Sequence, residues 1–143
     1  MSNSSQKGFS LIELLIVVVI IAVVAALAVP AFQRGIVAAE NRNVHATLKT
    51  MKSTQAMFFS QNQRFARLDE LNQMQQGGFG TVAGDTLIRN GFVFEMTPAN
   101  PTEQELRGGY SIGASRDALG MTWRFEMTPE GLYRVLPGPE DFD

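Results

Sequence analysis

The sequence predicts an α+β fold: one long N-terminal α-helix, apolar then amphipathic, packed on a C-terminal antiparallel β-sheet of about four strands. Three observations carry this. Residues 9–29 are nearly continuous apolar sequence. From Gln33 onward the apolar residues recur at helical spacing. After residue 90 the chain changes to short runs of strand formers separated by turn residues.

The apolar run comes first. Phe9 to Val29 is 21 residues, with Ser10 and Glu13 its only polar members. That length suits a membrane-spanning helix. A secretory signal peptide is the rival reading, but its apolar core usually runs about 7–15 residues and ends at a small-residue cleavage site. A carboxylate near the start of the run also argues against it. Glu13 is the informative residue, because at the centre of a span it would cost roughly 2.5–3.5 kcal/mol. Near the start the cost falls, and the carboxylate either reaches the interface or meets a cation. No Lys or Arg follows within a turn, so a cation would have to come from another copy of the chain. Lys7 supplies the positive charge expected just inside a span.

Pro30 comes next. It lacks an N–H, and its ring clashes with the carbonyl of Ala26, so it predicts either a helix boundary or a kink. Beyond it, Val37, Val44, Leu48, Met51 and Phe58 follow a seven–four–three–seven spacing, while Arg34, Arg42, Lys49 and Lys52 lie largely off that stripe. This is the pattern of a helix covering a core. His45, the only histidine, lies beside the stripe and is expected at the surface. Phe65, Leu68 and Leu71 give a short local pattern. QQGGFG, residues 75–80, reads as a flexible loop and lacks the Gly-Lys-Ser/Thr ending of a phosphate loop.

Four strands are expected from 92–96, 110–115, 122–127 and 132–136, with Thr128-Pro129-Glu130-Gly131 as a turn. FEMTP occurs at 94–98 and again at 125–129. The expectation is two strand ends using the same turn chemistry. The tail PGPEDFD carries acids without a ligand geometry.

Charge and composition restrict function. The formal net charge is −2, which does not announce a nucleic-acid partner. Between Arg34 and Arg67 there are six basic residues and one acid; from Arg89 onward there are five Arg and nine acids. The two zones are either solvated faces or complementary surfaces between copies. There is no cysteine, which removes disulfides, thiolate nucleophiles and cysteine-based zinc sites. One His and scattered carboxylates form no nucleophile–base pair. No catalytic residue, cofactor or metal ligand is assigned, and the chain is not expected to be an enzyme.

Lys7-Gly8-Phe9-Ser10-Leu11-Ile12-Glu13, followed by an apolar run to Pro30, strongly resembles the leader junction of type IV pilins and pilin-like proteins. The resemblance implies a leader of residues 1–8, cut by a prepilin peptidase between Gly8 and Phe9, and N-methylation of Phe9. Glu13 would be the fifth residue of the mature chain, paired with the new α-amino group at Phe9 of a neighbouring subunit. Such a pair would set the stagger of assembly more than its stability. The organisation implied is a membrane and filament-core helix at 9–32 and a globular head at 33–143. Within the head the expectation is an amphipathic helix at 33–62, a connecting loop at 63–90, the sheet at 91–136 and a tail at 137–143. Pro30 would kink one long helix. The family's usual C-terminal disulfide has no counterpart in this cysteine-free chain.

The function implied is a structural subunit of a helical homo-oligomeric filament supporting adhesion, twitching motility or DNA uptake. The precursor would sit in the inner membrane with the pilus assembly machinery, and the product at the cell surface. Rival readings are a pseudopilin of a type II secretion system or a minor pilin, a DNA-binding pilus receptor, and an ordinary signal-anchored protein. The basic 34–67 segment motivates the receptor, but no aromatic–basic interleaving supports it.

Overall fold

The computed structural model describes residues 8–136. The expected leader up to Lys7 and the tail 137–143 lie outside these residues. Two compact units divide the chain after Val37.

The first unit holds the N-terminal part of helix α1, which spans Leu11–Asn62. Its apolar side chains from Leu11 to Val29 are predominantly exposed. Among the described residues, α1 is the one helix long and apolar enough to cross a membrane. Pro30 lies inside α1, so the helix does not end there.

The second unit is the head. The C-terminal part of α1 lies on a six-stranded antiparallel sheet with strand order β1-β2-β3-β4-β5-β6. The strands are β1 (Thr81–Ala83), β2 (Thr86–Arg89), β3 (Phe92–Met96), β4 (Ile112–Ala118), β5 (Met121–Met127) and β6 (Leu132–Leu136). Two short helices, α2 (Leu68–Met74) and α3 (Glu103–Gly108), complete it. Six strands replace the expected four. The segment expected as a connecting loop, 63–90, carries α2, β1 and β2.

Alternation places the core. Phe92, Phe94 and Met96 of β3 and Trp123, Phe125 and Met127 of β5 turn inward and are buried. Val44, Leu48 and Met51 of α1 meet the core as the helical spacing predicts, and Phe58 is half-buried. Leu71 of α2 and Leu106 of α3 are fully buried, and burial is what holds such short helices. Thr102 Oγ1 accepts from Glu105 N–H, and the Glu105 carboxylate accepts from Thr102 N–H at 2.7 Å, a capping box that starts α3.

The two FEM strings share rungs of the sheet. Phe94 and Phe125 flank Ala114, Glu95 and Glu126 flank Gly113, and Met96 and Met127 flank Ile112. Both strings are therefore paired in register on either side of β4. Their exits differ, contrary to expectation. Thr97 N–H donates to Ser111 O at 3.0 Å and so continues the ladder, whereas Thr128 N–H donates to Gly131 O at 2.8 Å and closes a turn. His45 is not a surface residue: it is half-buried, edge-on to Phe125 with ring centroids 5.0 Å apart.

Candidate assembly site at the helix N-terminus

Ser10 precedes the first residue of α1, and Glu13 lies three positions after it. The Glu13 carboxylate turns back and accepts a hydrogen bond from Ser10 N–H at 2.9 Å. Ser10 O in turn accepts from Leu14 N–H at 3.2 Å, the first backbone bond of the helix. A helix N-terminus leaves donors without intrahelical partners and carries a partial positive charge. A carboxylate in the first turn answers both, so Glu13 has a local role beside the intersubunit role expected of it. Ser-x-x-Glu is a legible capping signature, and it is the signal that the reading of Glu13 as a buried charge alone passes over.

Phe9 stands one residue before this cap and is 93% exposed. Cleavage after Gly8 would turn its nitrogen into an ammonium adjacent in sequence to the Ser10 N–H that Glu13 holds. Among the described residues, nothing lies within 4 Å of where a Cβ on Gly8 would sit. The structure thus places Gly8, Phe9 and Glu13 together at one helix end. Pro30 lies in the same helix, 17 residues beyond Glu13.

In the head, much of the charge expected to form either solvated faces or surfaces between copies is engaged within the chain. Arg64 forms a two-pronged pair with Glu70 at 2.8 and 2.6 Å and reaches Glu103 at 2.7 Å. Arg67 meets Glu103 at 3.3 Å and donates to Pro101 O at 2.9 Å. The Arg64 hydrogen bond holds the Glu70 carboxyl below the usual carboxylate range, against the effect of burial, with the Arg67 N–H adding to it. Glu40 pairs with Arg116 of β4. Arg42 and Lys49 of α1 remain exposed. Among the described residues, no group of three or more His, Cys, Asp or Glu is placed to hold a metal ion.

The family profile described as "Prokaryotic N-terminal methylation motif" matches residues 3–29. The chain is 39% identical over 103 residues to the "Type IV narrow pilus major component PilA5" of Thermus thermophilus, a match covering 72% of this chain and 89% of that one. The chain belongs to the type IV pilin family. This pilin is also 33% identical over 95 residues to the "Type IV major pilin protein PilA" of Myxococcus xanthus, covering 62% of this chain. It spans 43% of the length of that relative. Similarity to "Fimbrial protein Q" of Moraxella bovis is 28% over 133 residues, covering 82% of this chain and 84% of the relative. No solved structure gives a significant match.

Proposed function

We propose that this pilin is a structural subunit of a type IV pilus filament. In this reading a prepilin peptidase cuts between Gly8 and Phe9, Phe9 is N-methylated, and copies assemble through the N-terminal part of α1. The observation that carries it is the Glu13 carboxylate, seated on Ser10 N–H at the start of an exposed apolar helix and beside the nitrogen that cleavage would free. The precursor lies in the inner membrane, where lipid covers Leu11 to Val29. In the filament neighbouring helices cover the same side chains, and the pilin reaches the cell surface. Each Glu13 then meets a Phe9 ammonium of a neighbour. Two charges in a dry core are tolerated only when paired, so the pair selects the register of assembly. Pro30 supplies a kink where one backbone hydrogen bond is missing. The two relatives named as major pilus components favour this reading over a pseudopilin or minor pilin.

Two substitutions test it. Glu13→Gln keeps an oxygen that can accept from Ser10 N–H but removes the charge; Glu13→Ala removes both. Both variants are expected to insert in the membrane and to give few filaments. Normal filaments from Glu13→Gln alone would reduce Glu13 to a helix cap. Normal filaments from both would overturn the assembly role.

A further inference from the structure

The β4–β5 hairpin closes through two residues, since Ala118 pairs with Met121. Both residues between them have positive φ, +54° at Leu119 and +73° at Gly120. Such a turn favours Asn or Asp followed by Gly. The β2–β3 hairpin of the same sheet uses that solution, with Asn90 at +51° and Gly91 at +77°. Leucine is a poor occupant of this conformation, because its Cβ crowds the following carbonyl. At this tip it is also 52% exposed, with Met121 37% exposed beside it. Backbone strain joined to an exposed apolar side chain is an outlier that points to function.

Two contacts inside the head fix which end of it carries the tip. Glu40 of α1 pairs with Arg116 of β4, and His45 of α1 lies edge-on to Phe125 of β5 with ring centroids 5.0 Å apart. Arg116 is opposite Trp123, two residues nearer the tip than Phe125. Those two strand residues span about 7 Å. The five helix residues from His45 back to Glu40 span about 7.5 Å. Within the head, α1 and β5 therefore run side by side in the same direction, and the tip lies toward the start of the head's stretch of α1. The sister turn is at this end as well, since a Cβ on Gly91 would sit 3.5 Å from Arg116 Cδ. From Arg116 the hairpin runs three residues further to Leu119, about 10 Å.

The chain enters the head at Ala38, so it enters at the end that carries the tip. The apolar run closes at Val29, nine residues earlier. Nine residues reach at most about 30 Å even when fully extended. When the apolar run lies in a bilayer, the head is thus tethered to lipid by its Leu119 end. The charged groups behind the tip already have partners. Thr122 Oγ1 donates to Asp117 Oδ1 at 2.6 Å, and Arg116 is committed to Glu40. Polar groups that keep a partner resist leaving water less than bare ones.

We infer that Leu119 and Met121 form a foot that enters the boundary between headgroups and acyl chains while the subunit waits in the membrane. The partner is a lipid surface, because the tether holds this end of the head near lipid whether or not another copy is present. The inference rests on the reading of the precursor as membrane-inserted and adds a second attachment to it. Two apolar side chains give a weak, reversible hold. Lipid contact exists only before the subunit leaves the bilayer, so the foot favours the unassembled state and withdraws on assembly.

The chain has no cysteine, so one introduced thiol carries one label. Full-length Met121→Cys is labelled with the polarity-sensitive dye NBD. It is then inserted into phosphatidylethanolamine–phosphatidylglycerol vesicles at single copies per vesicle. Gln61→Cys, exposed near the C-terminal end of α1, is the control. At position 121 the expected result is blue-shifted emission that lipids spin-labelled near the headgroup quench. At position 61 emission stays water-like and unquenched. Leu119→Asn is then added to the labelled Met121→Cys chain. Asn suits the turn, so the head keeps its melting temperature while the blue shift and the quenching are lost.

Water-like emission at 121, or a signal that Leu119→Asn leaves unchanged, would overturn the foot. A signal that appears only when several copies share a vesicle would overturn it too, and would give the tip to a second copy. The membrane reading fails separately: a chain that alkaline carbonate washes off the vesicles was never inserted, and the inference falls with it.

Discussion

The side-chain amide of Gln55, on α1, holds both backbone groups of Ala66. Nε2 donates to Ala66 O at 2.8 Å, and Ala66 N–H donates to Oε1 at 2.7 Å. Gln55 is fully buried, so no water can replace either bond. It pins the chain where it turns back after α1. Gln55→Leu would leave a buried N–H and a buried C=O without partners, a loss of about 3 kcal/mol. The expected readout is a melting temperature lower by roughly 10 °C for the detergent-solubilised chain. A shift of a degree or two would show that Ala66 finds other partners.

Glu70 makes the head acid-sensitive. Its folded pKa lies below the ordinary carboxylate value, first because of the Arg64 hydrogen bond. Its contribution is therefore complete above the unfolded value of about 4.3, and it is lost as pH falls through the folded value. Glu70→Gln is expected to destabilise the head by about 2 kcal/mol at neutral pH. The gap between variant and parent should narrow progressively below pH 4.3 or so. Urea denaturation at several pH values measures this; a gap that stays constant with pH would contradict the assigned pair.

Two glycines should respond differently to alanine. At Gly91, φ is +77°, so Gly91→Ala strains the β2–β3 turn and should cost about 1–2 kcal/mol. Gly113 has an ordinary strand backbone, and a Cβ there would meet Arg124 Nη2 at 3.4 Å and Glu95 Cγ at 3.7 Å. Those atoms belong to flexible side chains that meet each other, with Arg124 Nη1 and Glu95 Oε1 3.4 Å apart. Gly113→Ala should therefore stay within about 0.5 kcal/mol. Equal losses at both sites would mean that space over β4, not backbone conformation, decides.

The N-terminal site was legible because its signals are local. Gly8, Phe9 and Glu13 lie within one short motif, and the apolar run announces its helix by length alone. The last four strands were legible for a similar reason, since each is a compact run of strand formers. β1 and β2 were not. Thr81–Ala83 and Thr86–Arg89 are too short to show alternation and exist by pairing, β2 with β3 and β1 with β2. α2 has seven residues and too few turns to show a period; Leu68, Leu71 and the Arg64–Glu70 pair hold it from outside. His45 misled because a lone polar residue beside an apolar stripe says nothing of Phe125, 80 positions later. The capping pairs Ser10–Glu13 and Thr102–Glu105 were readable in sequence and had to be sought as pairs.

The central claim is that this chain is cut at Gly8–Phe9 and assembles through its new N-terminus. Intact-mass and N-terminal fragment spectrometry of fibres sheared from cells tests it most directly. The account predicts a chain beginning with N-methylated Phe9 and lacking Met1 to Gly8, recovered in long surface filaments. An intact chain from Met1, a cut elsewhere, or the processed chain found only in the inner membrane would contradict it.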